Sequence, residues 1–378
     1  MAATDVIIIG GGMIGLSTAL HLARVGKQVT LVEKSFPGKH ASGVNAGGVR
    51  SLKRDPIELP LIHGAMEMWH HMEALVGSDC GFFKTGYLVA AETDKDMAEL
   101  EERAAFTRGL GYDNELVIDA RDLKKWAPAI ADHCLGGLMS TSDGHASPAE
   151  TCRAYHQAAC AAGAVVHANC RVLDLEITSA GFKVTTDTQG VLEAEQVLNC
   201  AGAWAGEIGK MVGEELPITP VGPSVIVTAP MPRMFHRFVT ANKRKLWFNQ
   251  AKNRSILICG GYLAEVDMAA ETTHLRFDAL QQCVQTALDL FDVVGDIPIV
   301  RAWAGLDGDT PDILPIMDRS RIHPGLMHAC GFSKHGFALS PMVGKVMAQA
   351  LSGRTPEISL DAYRLDRPGL TGTAPVSH

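Results

Sequence analysis

Asp5-Val6-Ile7-Ile8-Ile9-Gly10-Gly11-Gly12-Met13-Ile14-Gly15 stands near the start of the chain, and Val29-Thr30-Leu31-Val32-Glu33-Lys34 follows one helix-length later. The β-branched run Val6–Ile9 predicts a strand buried on both faces in a parallel sheet. Between the two stretches Leu16, Ala19, Leu20, Leu22 and Ala23 recur with helical period, and Gly26 predicts the stop. Gly10, Gly12 and Gly15 therefore occupy a strand-to-helix turn. There they permit a tight turn, close approach of backbone to a pyrophosphate, and contact of helix with strand. Such a helix start offers unpaired N–H groups and a positive dipole end to phosphate. Glu33, eighteen residues past Gly15, stands where a carboxylate accepts ribose hydroxyls. A bare GxGxxG in a chain with 38 glycines says little; strand, glycines, helix, strand and acid in that order predict a dinucleotide site.

Length and composition narrow the class. At 378 residues about two domains are expected. An apolar fraction of 47% with 20% charged residues describes a globular protein with ample core, and a net charge of −8 argues against nucleic acid or anionic membrane as the main partner. The nine cysteines show no C-x-x-C, which predicts reduced thiols, with neither a disulfide scaffold nor a zinc site. His63, His70 and His71 do not complete a metal site either, because adjacent histidines point to different sides of a helix. The first strand begins within five residues of Met1, leaving no room for a signal peptide, and no apolar run approaches the roughly 20 residues of a membrane span. A cytoplasmic protein is expected.

Farther along, apolar spacing predicts one amphipathic helix over Leu61–Val76, and Phe82–Ala91 reads as two strands around a turn. A charged helix is expected over Lys95–Arg108, with a shorter one capped by Asp119 through Lys125. Ser147-Pro148-Ala149-Glu150 reads as a capping box opening a helix to Ala162. Strands are expected at Val165–His167, Arg171–Ile177, Phe182–Thr186 and Gln196–Asn199. A strand-rich segment (Ser224–Thr228, Phe238–Thr240, Leu246–Phe248, Ser255–Cys259) then precedes a helix over Phe277–Leu290. The Pro-, Gly- and Thr-rich end from 366 to 378 reads as a flexible tail.

Four further stretches carry a family likeness: Ala41-Ser42…Asn45-Ala46-Gly47-Gly48, Ala201-Gly202-Ala203-Trp204, Trp303-Ala304-Gly305…Thr310-Pro311-Asp312…Pro315-Ile316, and Gly331-Phe332-Ser333-Lys334-His335-Gly336-Phe337. With the opening glycines, they resemble the FAD-dependent amine oxidoreductases that include D-amino acid oxidase, glycine oxidase and sarcosine oxidase. The likeness is strongest to the flavin subunits of heteromeric sarcosine oxidases and of proline, hydroxyproline or opine dehydrogenases. It spans Val6 to Leu351. The resemblance implies an α/β chain, α+β overall: a Rossmann-like FAD-binding domain (1–80, 143–215 and 300–365) and a substrate domain on a mixed, mainly antiparallel sheet (81–142 and 216–299). It also implies FAD contacts from Gly10, Gly12, Met13, Ile14, Gly15, Glu33 and Lys34, and from Ala41, Ser42, Asn45, Ala46, Gly47 and Gly48. Val172, Ala201, Gly202, Trp204, Gly305 and Asp307 are implied next, then the final turn of Gly331, Ser333, Lys334, His335, Gly336 and Phe337. The backbone N–H groups of that turn would meet the flavin pyrimidine edge.

The chemistry implied is hydride transfer from a substrate α-carbon to flavin N5, giving an imine, which needs orientation rather than an acid–base triad. No G-x-S-x-G or H-E-x-x-H is present. Candidate substrate-side residues are Arg50, Trp247, Tyr262, Asp307, Lys334 and His335. Where glycine oxidase has carboxylate-binding arginines, this chain has Asp307 and Lys334; Trp247 replaces a pocket tyrosine. An exchange of guanidinium for carboxylate is not conservative. It disfavours glycine or a simple D-amino acid and favours a small secondary amine or imino acid: D-hydroxyproline, proline, sarcosine or an opine. A flavin-dependent 2-hydroxy acid dehydrogenase, and a flavin-holding subunit active only in a hetero-oligomer, are the alternatives. Oxygen, a quinone or a partner protein would accept the electrons. FAD is expected to be non-covalent, since Asn45 stands where relatives carry a linking histidine, Ala304-Gly305 where others carry a cysteine, and His40 is a weak substitute. No metal is expected.

Overall fold

A computed structural model describes residues 4–235 and 237–371. Among these residues the chain forms two large sheets. Thr4–Ile9 lies at the centre of the first, parallel to Val29–Val32 on one side and Val191–Asn199 on the other. Val165–His167 and Leu326–Cys330 extend it in parallel, and Ile316–Arg319 closes one edge antiparallel. Val6, Ile7 and Ile8 are wholly buried, as a strand with helices on one face and strands on the other requires. The opening helix Met13–Arg24 packs against the closing helix Gly336–Leu351 over a shared core of Leu16, Leu20, Val343 and Met347.

The second sheet has eleven strands and is mixed, mainly antiparallel. Its hub is Thr219–Thr228, which pairs antiparallel with Ile256–Cys259, Leu263–Asp267, Ile299–Ala304 and Asp307–Asp309. The Phe277–Leu290 helix covers one face and buries Cys283, Ala287 and Leu290 against Ile226, Phe248 and Ile258. Ile299–Ala304 and Asp307–Asp309 are both hydrogen-bonded into this sheet, and the chain next joins the nucleotide sheet at Ile316.

Local sequence signals explain most elements. Asp119 accepts from Asp122 N and starts a helix over Ala120–Trp126, and the charged helix runs over Asp94–Gly109. Several expectations are corrected. Leu61–Val76 is not one helix: Leu59–Trp69 and Met72–Val76 are separated at His70–His71, where His71 leaves helical backbone (φ −126°, ψ 29°). Trp69 is held at that break by its indole N–H, which donates to Ala338 O at 2.9 Å. Phe82–Ala91 contributes one strand, Tyr87–Ala91, with only an isolated bridge at Phe83. Ser147 caps its helix by accepting from Glu150 N, whereas the reciprocal two-way box is formed by Thr93 and Asp96. Within the expected tail, Arg367 is buried and Pro368–Thr371 is helical; 372–378 lies outside the described residues.

Candidate active site

The nucleotide sheet and the substrate sheet line one continuous cavity, whose wall runs from Gly10 and Glu33 at one end to Gly331 and Phe337 at the other. A long ligand is indicated. One end is built at the carboxyl ends of the first two strands, the topological position for nucleotide binding in such sheets. Gly10 runs at φ +111°, and a Cβ there would stand 2.4 Å from Cys200 O; a Cβ on Gly15 would stand 2.0 Å from Gly10 O. No other residue fits either place. The opening helix has no acidic residue in its first turn and its cap residue, Gly12, makes no side-chain cap. Met13 N instead donates to Ser42 Oγ at 2.9 Å, so the second glycine-rich loop is pinned onto the first. Asn45 stiffens that second loop from within, donating from Nδ2 to Ala41 O and Ser42 O and accepting from Gly47 N.

Glu33 is buried beside the turn, accepting from Gly11 N at 2.7 Å and from Ser35 N at 2.8 Å. Each carboxylate oxygen keeps a lone pair for a hydroxyl donor. Lys34, Val172, Ala201, Gly202 and Trp204 line the same end. His40 lies there too, its ring 4.7 Å from that of Trp204, and burial, with Lys34 and Lys39 nearby, holds it down to about 4.

The other end is formed by Gly305, Asp307, Gly331, Lys334, Gly336 and Phe337, facing Trp247, Cys259 and Val225 of the substrate sheet. Ser333 and Lys334 adopt left-handed backbone, φ +50° and +72°. That costly conformation is held by Asp307, whose Oδ2 accepts from Lys334 N at 2.9 Å and Oδ1 from Gly308 N at 2.8 Å. Burial, with Asp309 adjacent, raises the Asp307 carboxyl above the usual range. The Lys334 ammonium is taken by Asp309 Oδ2. The helix behind the turn begins at Gly336, with neither a side-chain cap nor an acid in its first turn, so its positive end stays free.

The remaining sequence candidates are placed behind this wall. Of the cofactor candidates, Gly15, Gly47, Gly48, Ser333 and His335 do not themselves border the cavity, while Gly10, Gly12, Met13, Ile14, Ala41, Ser42, Asn45 and Ala46 do. His335 Nδ1 is 3.0 Å from Glu58; burial and Arg54 hold the imidazole down to about 4, so a neutral ring donates to a carboxylate that Arg54 neutralises. Arg50 donates to Leu52 O and Lys53 O and lies over the Tyr87 ring at 5.8 Å. Tyr262 turns away, its hydroxyl 3.4 Å from Thr286 Oγ1. Sequence reasoning did not find Glu58, Tyr87 or Asp309. Asp309 had a signal, since Asp307 and Asp309 alternate as they do on one face of a strand.

The cradle glycines, a helix start at each end and the ribose-type carboxylate fit an elongated dinucleotide carrying an electron-accepting ring. The sequence model of the DAO family, described as FAD dependent oxidoreductase, matches residues 5–350. The chain belongs to this family. As an FAD-dependent oxidoreductase it is similar to glycine oxidase of Geobacillus kaustophilus, 27% identical with 96% of this chain and 97% of that protein covered. It is also similar to human mitochondrial dimethylglycine dehydrogenase, 27% identical, where 96% of this chain matches 44% of the longer protein. Hydrogen cyanide synthase subunit HcnC of Pseudomonas aeruginosa is 26% identical, with 95% of each covered. The fold is shared with L-proline dehydrogenase of P. horikoshii at TM-score 0.89 and 24% identity, with 96% of each chain covered. No helix among the described residues is long and apolar enough to cross a membrane, and no group of three potential metal ligands occurs among them.

Proposed function

We propose that the chain oxidises a small secondary amine or imino acid, of the proline, hydroxyproline, sarcosine or opine type, at the carbon next to nitrogen. Bound FAD supplies the hydride acceptor, its N5. The residues that would hold it are the Gly10–Gly15 turn, Glu33, the Ala41–Gly48 loop, Ala201–Trp204 and the Gly331–Phe337 turn. The observation that carries the substrate reading is the charge balance at the flavin end. Lys334 is bound to Asp309 and Asp307 stands beside it, so this corner holds two carboxylates against one ammonium. Such a corner disfavours a substrate carboxylate and favours an amine that arrives as a cation. Trp247, Val225 and Pro223 offer apolar wall to a ring or an N-alkyl group. The names of relatives such as dimethylglycine and sarcosine dehydrogenase agree with an N-substituted substrate.

The test is an anaerobic screen of flavin bleaching with proline, hydroxyproline stereoisomers, sarcosine, opines, glycine, D-alanine and 2-hydroxy acids. Fastest reduction by a secondary amine supports the reading. Fastest reduction by glycine, D-alanine or a hydroxy acid refutes it.

A second reading, a flavin subunit needing a partner, draws on Ile299 and Val300, which are 53% and 61% exposed on a strand of the substrate sheet. It also draws on the name of the Pseudomonas aeruginosa relative. It predicts that the isolated chain binds FAD yet no amine in the screen bleaches it.

A further inference from the structure

The ribose end of the cavity is backed by a hairpin from the other sheet. Leu263–Asp267 and Thr272–His274 pair antiparallel, and Val266 and Met268 next to the turn pack on Ala203, Trp204 and Leu306. At the tip Glu271 Oε1 accepts from Arg171 at 2.5 Å and lies 2.9 Å from Lys34 Nζ. The Lys34 ammonium stands 3.1 Å from the centroid of the Trp204 ring, inside cation–π range. Lys34, Arg171 and Trp204 border the cavity; Glu271 does not. Glu271 itself adopts left-handed backbone, φ +54°, a conformation unfavourable to a residue with a side chain. That strain is spent where one carboxylate reaches two cations that flank two different strands of the nucleotide sheet, Lys34 after Val29–Val32 and Arg171 before Val172–Thr178. Burial pushes Lys34 below its ordinary value while Glu271 opposes the shift; Glu271 is held below the carboxylate range because Lys34 and Arg171 outweigh its own burial.

We propose that Glu271 is a cofactor-retaining residue that acts through Lys34 and Arg171, binding the substrate-sheet hairpin to the ribose-end wall so that FAD leaves only when the two separate. Without it two cations face each other across the wall, and Lys34 keeps only the Trp204 ring.

The experiment uses holoenzyme of the wild-type chain and of E271Q, R171Q and E271Q/R171Q, diluted into flavin-free buffer while free-flavin fluorescence is followed. It is run at about 50 and about 500 mM salt, spanning strong and weak screening. Wild-type release should quicken with salt. E271Q should release FAD about tenfold faster at low salt, as expected for loss of a partly buried ion pair, and should lose most of the salt response. The double variant should release no faster than E271Q. Release from E271Q within twofold of wild type, a wild-type rate indifferent to salt, or additive effects in the double variant would each overturn the proposal. No amine enters the assay, so the outcome is independent of which substrate the enzyme oxidises.

Discussion

Arg367 offers a sharp test of how the flavin end is supported. Its guanidinium forks onto Asp312, Nε to Oδ2 at 2.6 Å and Nη2 to Oδ1 at 2.9 Å, and also donates to Pro315 O at 2.9 Å and Leu314 O at 2.6 Å. Both side chains are largely buried, 8% and 13% exposed. R367M would strand the Asp312 carboxylate, at a cost of about 3–5 kcal/mol for breaking a buried pair. R367K keeps the charge and loses the fork, so about 1.5–3 kcal/mol is expected, the worth of a charge-assisted hydrogen bond or two. R367M/D312N should cost less than the sum of its single changes by about 2 kcal/mol, because they share one interaction. Urea unfolding of the apoprotein, read as a midpoint shift at constant slope, measures each term. Burial raises Asp312 but Arg367 pulls it below the usual carboxylate range. The stabilisation is therefore present above the carboxyl's unfolded pKa and lost as pH falls through the lower folded value, so R367M should flatten the acid limb. The effect should reach the site, because the Thr310–Leu314 loop held by this clamp meets Ser333 through Thr310 N, which donates to Ser333 Oγ at 3.2 Å. Should R367M cost under about 1 kcal/mol with no coupling to D312N, the clamp is a surface contact and the reasoning fails.

Other expectations are sharper in sign than in size. Gly15→Ala would put a methyl carbon 2.0 Å from Gly10 O, so the purified variant should be folded by circular dichroism yet nearly colourless; a yellow preparation with wild-type FAD content would refute the cradle. Asp309→Asn releases Lys334, and small carboxylates should then perturb the flavin spectrum at concentrations roughly fivefold lower, from about 1 kcal/mol of regained cation. Unchanged titrations would show that Lys334 never faced the ligand. Glu214 is pulled down to about 2: burial opposes the shift, but His328, Ser320 and Arg321 N hydrogen-bond its carboxylate. Against an unfolded value of about 4.3 this contributes about 3 kcal/mol above pH 5 and vanishes as pH falls through 2. Glu214→Gln should accordingly be less stable at neutral pH and match wild type near pH 2, as thermal melts across pH would reveal.

What could be read from the sequence is what close neighbours in the chain decide. Asp119 caps its own helix, Phe277–Leu290 is bounded by its own apolar period, and the opening glycines sit between a strand and a helix that each announce themselves. The break at His70–His71 escaped because neither glycine nor proline marks it; the Trp69 indole reaching Ala338, 269 residues away, accompanies it. The partners of Lys334 and Lys34 escaped for the same reason. Asp309 and Glu271 are brought to them by strand order, which depends on register across a sheet and not on any local preference.

The Trp303-Ala304-Gly305 segment carries the larger lesson. Trp303-Ala304-Gly305 reads as ligand-binding loop by motif, yet Val225 pairs with Trp303 and Ser224 with Ala304 in the substrate sheet. From there Trp303 Nε1 donates to Val44 O at 2.8 Å, and Leu306 O accepts from Ala41 N at 3.2 Å, both in the second glycine-rich loop. A Cβ on Gly305 would stand 2.5 Å from Val44, so the glycine is what lets strand and loop meet. The segment thus belongs to both units. It fixes the substrate sheet to the cofactor loop by one main-chain hydrogen bond, Ala41 N to Leu306 O, and by one from the Trp303 indole to Val44 O, so the distance between substrate wall and flavin end is tied to main-chain positions on both sides.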